Sequence, residues 1–117
     1  MNDLSLGCAD SYPVHDVYTF SDDIERIRVC DHDFEPAIDV HEPAKDGWHG
    51  FCLMYHCNLE WCDTEFKIED LDELIVLLET GAEKAQPSYF DRENCYSLIV
   101  FLKEAKSKNR SVSVLKE

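Results

Sequence analysis

Apolar residues recur at helical spacing through the last third of the chain, and that pattern constrains the fold more than any other. Leu71, Leu74, Ile75, Leu77 and Leu78 overlap and follow Asp70-Leu71-Asp72-Glu73, which reads as a capping box at a helix start. Gly81 marks the expected end of this helix. Ser88-Tyr89-Phe90-Asp91 opens a second helix, with Cys95, Leu98, Ile99 and Leu102 on one face and a basic end over Lys103–Asn109. Each helix has a single apolar stripe, so each needs a surface to bury it against.

The preceding residues supply strands for that surface. Val14–Phe20 and Ile24–Cys30 read as short strands, and Ala37–His41, bounded by Pro36 and Pro43, as a charged edge strand. Phe51–His56 is the most apolar strand candidate, with Leu59–Ile68 as its hairpin partner across Cys57-Asn58. Val112–Leu115 reads as a last short strand. Strands first and helices afterwards predict an α+β domain: a mostly antiparallel sheet of about four to five strands, with two amphipathic helices packed on one face. A length of 117 residues fits one compact domain over 1–117, with a polar, loosely held segment at 1–12.

Charge narrows the function classes. There are 25 Asp or Glu against 11 Lys or Arg, a net of −14. Five cations against two carboxylates over residues 103–117 make that tail +3, which leaves −17 on residues 1–102. A phosphate-backbone binder needs clustered positive charge, so direct nucleic-acid binding is excluded, and anionic membrane surfaces are disfavoured for the same reason. Helix-end effects account for Asp70, Asp72, Glu73, Asp91 and Glu93. They do not account for Asp22, Asp23, Asp31, Asp33, Glu35, Asp39, Glu42 and Asp46, which lie where few helix ends are expected.

Chemistry-bearing motifs are sparse. The four glycines form no phosphate-cradling loop. No secretory or membrane-spanning pattern is visible, so a cytoplasmic location is expected, with Cys8, Cys30, Cys52, Cys57, Cys62 and Cys95 reduced. Nucleophilic catalysis is disfavoured because Asp91 and Glu93 surround Cys95, and because strand geometry would turn His56 and Cys57 to opposite sides. The chain reads as non-enzymatic, with no cofactor. The sharpest local cluster is His49, Cys52, His56, Cys57 and Cys62, which supports an alternative reading as a zinc-stabilised Cys/His module. Its cysteines are spaced C-x4-C-x4-C rather than as the close pairs that structural zinc favours.

The acidity itself points to a partner. At about one charge per 1.7 Å of duplex, seventeen net charges match roughly 29 Å of DNA. A compact chain of this size, with a radius of gyration of roughly 13 Å, has a comparable span. Gathered on one face, such charge would mimic DNA before a basic channel and steer a basic partner into contact. The leading expectation is therefore an inhibitor that docks a basic protein surface, on a nuclease, a toxin or a CRISPR-type nucleic-acid-guided complex. The expected contacts are Asp31, Asp33, Glu35, Asp39, Glu42 and Asp46, with Trp48 as an apolar anchor. Small acidic domains without catalytic motifs recur among toxin-immunity proteins and phage anti-restriction and anti-CRISPR inhibitors, an analogy of type that no motif in this chain carries.

Overall fold

The sheet is held together by register. The computed structural model describes residues 2–5, 16–57, 65–86 and 88–116, with the backbone alone described for 2–5 and 57. Among these residues the elements run β1 (Asn2–Ser5), β2 (Val17–Ser21), β3 (Glu25–Cys30), α1 (Asp31–Asp39), α2 (Gly50–Cys57), β4 (Phe66–Lys67), α3 (Leu71–Lys84), α4 (Arg92–Ser107) and β5 (Ser113–Lys116). The spatial strand order is β1-β3-β2-β5-β4. The last four strands of that order pair antiparallel, and β1 joins the β3 edge in parallel. Asn2–Ser5 falls within the segment expected to be loose and pairs in this sheet.

One sheet face is apolar because Tyr18 stands opposite Val29, and Phe20 opposite both Ile27 and Val114. All five are buried, and side chains from all four helices join them in one core. Phe34 of α1 is the central contact, edge-on to Tyr18 at 4.8 Å and to Phe20 at 5.5 Å between ring centroids. The α+β expectation holds, with α3 and α4 as the two amphipathic helices.

Two segments expected to be strands are helices instead. The edge strand at Ala37–His41 is replaced by α1, in which Phe34, Ala37 and Ile38 are fully buried at helical spacing. Pro36 sits inside this helix. Its missing amide leaves the His32 carbonyl without a helical donor, and the amide of Asp91 takes that place at 2.9 Å. The strand at Phe51–His56 is replaced by α2, which buries Phe51, Cys52 and Met54 and exposes Leu53. The start of α2 has a remote cause: Glu73 of α3 accepts the Phe51 amide at 2.7 Å. Gly50 has φ +60°, and a Cβ there would lie 2.1 Å from a Glu73 carboxylate oxygen. Of the expected hairpin partner at Leu59–Ile68, the pair Phe66–Lys67 is strand and 59–64 lie outside the described residues.

Gly81 also departs from expectation, since it lies within α3 rather than ending it. A Cβ there would stand 1.8 Å from the Ala37 carbonyl oxygen, so this glycine lets α3 press against the backbone of α1. The start of α3 lies where expected, with Asp70 accepting the Glu73 amide at 3.1 Å, but the Glu73 carboxylate serves the Phe51 amide of α2 instead of completing a capping box. Arg92 finishes α3 from outside, donating to the carbonyls of Ala82 at 2.6 Å and Ala85 at 2.8 Å. Asp91 caps α4 through the Asn94 amide at 3.0 Å. No helix among the described residues is long and apolar enough to cross a membrane.

Candidate functional site

Helical spacing stacks three carboxylates along α1. Asp31, Glu35 and Asp39 stand four residues apart, so they form one row on the helix. The row is anchored where β2 begins, because the Asp31 amide donates to the Asp16 carbonyl at 3.0 Å. That contact places a fourth carboxylate, Asp16, beside the row.

The acidic row is backed by tyrosines. Tyr18 donates its hydroxyl to Glu35, and the Tyr55 hydroxyl of α2 bonds with the side chains of Asp39 and Tyr18. Burial pushes the Glu35 carboxyl above its usual range, and Asp16, Asp31 and Asp39 push it further, against the opposing effect of the Tyr18 hydrogen bond. Both phenols are driven far up, by burial first and then by Glu35. Lys116 touches one end of the row: its Nζ lies 3.7 Å from Asp16 and 5.7 Å from the Tyr18 ring centre. Asp16 and Asp39 are exposed, and Asp31 and Glu35 are half-buried. The arrangement presents a line of carboxylates on a rigid helix, and Glu35 within it holds a proton more readily than an exposed Glu.

The remaining expected contacts are dispersed. Asp33 is only 1% exposed, so it is no surface contact. Its carboxylate accepts the Cys30 amide at 3.0 Å and the Asn94 side-chain amide at 2.9 Å, fastening α1 to α4. Glu42 is exposed in the connection after α1. Asp46 is exposed and lies 2.8 Å from His49 Nε2. Trp48 is half-buried, stacked on His56 at 4.0 Å between ring centroids and packed against the core. Its ring is therefore engaged internally rather than held out as an anchor. Asp22, part of the same acidic stretch, serves the β2–β3 turn: it accepts the amides of Ile24 and Glu25 at 2.7 Å each and faces Arg110 at 3.5 Å.

The basic tail is occupied as well. Lys103 pairs with Glu79, Lys106 with Asp72, Lys108 with Glu104, Arg110 with Asp22 and Lys116 with Asp16. Four of these five contacts lie on α3, on α4 or at the β2–β3 turn, away from the α1 row.

Cys52 and Cys95 are free and buried. Burial and Glu73 raise the Cys52 thiol, while burial and Asp33 push Cys95 up to about 12 against the pull of Arg92. Cys30 departs from the reduced expectation, being disulfide-bonded. Of the expected zinc cluster, the side chains of Cys57 and Cys62 lie outside the described residues, and His49 is turned to Asp46. Among the described residues, the group of three donor side chains close enough to share an ion is Cys30, Asp31 and His32. Its sulfur is committed to the disulfide. A cleft between the starts of α2 and α3, floored by Phe51, Phe66 and Ile68, holds about 140 Å³. That is small beside the roughly 300 Å³ and more of small-molecule sites, whereas the open groove between α3 and α4 holds about 420 Å³.

Sequence reasoning missed Asp16, Tyr18 and Tyr55. Asp16 lies outside the acidic stretch and joins the row through the β2–β3 hairpin, so no local signal marks it. No protein-family model, curated protein or solved structure matches the chain.

Proposed function

We propose that this protein is a non-catalytic inhibitor that docks a basic surface of a partner protein through the acidic row of α1. The observation that carries the reading is the alignment of Asp31, Glu35 and Asp39 on one helix, with Asp16 beside them. Like charges held this close raise the local negative potential, and a cationic partner relieves their mutual repulsion. The DNA-mimic form of the reading rests on the same row, since a line of carboxylates on one helix is what a basic nucleic-acid channel would meet. A nuclease, a toxin or a nucleic-acid-guided complex supplies the required basic channel.

The test is affinity capture from the native host followed by mass spectrometry, in low and in high salt. The triple variant Asp31→Asn, Glu35→Gln and Asp39→Asn serves as the comparison. Capture of a basic nucleic-acid-acting protein, lost in high salt and in the variant, supports the reading. A specific partner held equally by both proteins in both salts sinks it.

A further inference from the structure

A second surface, remote from the acidic row in chemistry, lies along the outer groove between α3 and α4. The groove is lined by Asp72, Ile75, Val76, Glu79, Lys103 and Lys106. Two ion pairs cross it, Lys106 with Asp72 and Lys103 with Glu79, the latter at 3.1 Å. These pairs show that the two helices run antiparallel there. Val76 is 57% exposed and Val100 62% exposed, each one turn before a residue of the Glu79–Lys103 pair. Tyr96, 41% exposed, continues the α4 stripe one turn further on. An ion pair, a valine, an ion pair and a valine thus alternate along the groove.

Charge decides what fits this face. A chain of net −14 repels its own copies wherever acid is uncompensated. Along the groove lining the two carboxylates, Asp72 and Glu79, stand on α3 and the two ammonium groups, Lys103 and Lys106, on α4. A two-fold axis running along the groove lays α3 of one copy on α4 of the other. Asp72 and Glu79 then face Lys106 and Lys103 of the second copy, and the valines are covered between them. A foreign partner of uniform charge would meet like charge along one of the two helices. Both lysine side chains are about half exposed, at 54% for Lys103 and 49% for Lys106. Each ammonium has three donors and can add a second carboxylate.

We propose that this chain self-associates as a symmetric dimer through the α3–α4 face, with a second copy of itself as the occupant. The experiment is sedimentation equilibrium on the full chain across the micromolar range, with far-UV circular dichroism as the check on folding. The wild type is expected to reach twice the mass of the single chain. Val76→Glu and Val100→Glu, at exposed positions, are each expected to raise the dimer dissociation constant about tenfold or more while leaving the spectrum unchanged. Lys103→Glu weakens the dimer, and adding Glu79→Lys recovers it. A wild type that stays monomeric throughout overturns the proposal. So does a dimer indifferent to both glutamate variants, or a monomer that takes up a foreign helix across Val76 and Val100.

Discussion

The amide of Asp91 reaches the carbonyl of His32 at 2.9 Å, standing in for the donor that proline removes from position 36. One turn away, Asp33 and Asn94 meet at 2.9 Å, so two bonds clamp the first turn of α1 to the start of α4. The helix that carries the acidic row is therefore held in place from outside itself.

The clamp sets the first prediction. Asp33→Ala strips the partners from the buried Cys30 amide and from Asn94, at a cost of about 1–3 kcal/mol for each donor left bare. Asp33→Asn keeps a carbonyl acceptor and is expected to lose less. Urea denaturation of both variants checks the ranking, and equal losses would contradict it.

Gly81→Ala is expected to destabilise. In an ordinary helix interior the same change gains about 1 kcal/mol. Here the new methyl group would meet the Ala37 carbonyl, and forcing packed backbones apart costs about 1–3 kcal/mol or more. The sign of the change in thermal denaturation decides the matter.

Glu73 links the starts of two helices, so its removal has a distant local effect. Glu73→Ala exposes the Phe51 amide, and losing such a cap costs about 0.5–2 kcal/mol. Amide hydrogen exchange is expected to quicken in the first turn of α2 more than in the middle of α4. Gly50→Ala produces the same pattern, because it combines φ +60° with the approach of Glu73.

Glu35 and Asp22 respond to pH in opposite senses. The Glu35 carboxyl is raised from its usual 4.5, chiefly by burial. Its contribution to stability is thus fullest below 4.5 and is lost as pH climbs through the raised value. Glu35→Gln is accordingly expected to raise the melting temperature at neutral pH, with the gain vanishing in acid. Burial opposes ionisation of Asp22, but the Glu25 and Ile24 amides and Arg110 outweigh it and hold that carboxyl below its usual 3.8. Its contribution is present above 3.8 and lost as pH falls through the lowered value. Asp22→Asn is therefore expected to lower the melting temperature at neutral pH and to differ less from wild type in strong acid.

Where folding signals are local, they were readable. Asp70 and Asp91 cap their helices as the sequence pattern predicts, and β2, β3 and β5 fall close to their expected places. The misread segments depend on distant residues. The start of α2 is set by Glu73, 22 positions along the chain from the amide it caps. Pro36 is tolerated in α1 because Asp91 satisfies the carbonyl it orphans. The acidic stretch was legible as composition only: α1 aligns Asp31, Glu35 and Asp39, while Asp22 and Asp33 turn inward to serve a turn and a helix clamp. For Trp48 no local signal separates an exposed anchor from the stack its ring makes on His56 of α2.

The placement of β5 between β2 and β4 has a kinetic consequence. Phe20 and Val114 are opposite one another in the sheet, yet 94 positions apart in the chain. Closing so long a loop costs entropy before any contact rewards it, whereas α3 and α4 are neighbours in sequence and meet cheaply. The helical pair is thus suited to form early, with β2–β5 zipping as the slow event. The two-residue β4, whose sheet partner is β5, waits on that event for its place.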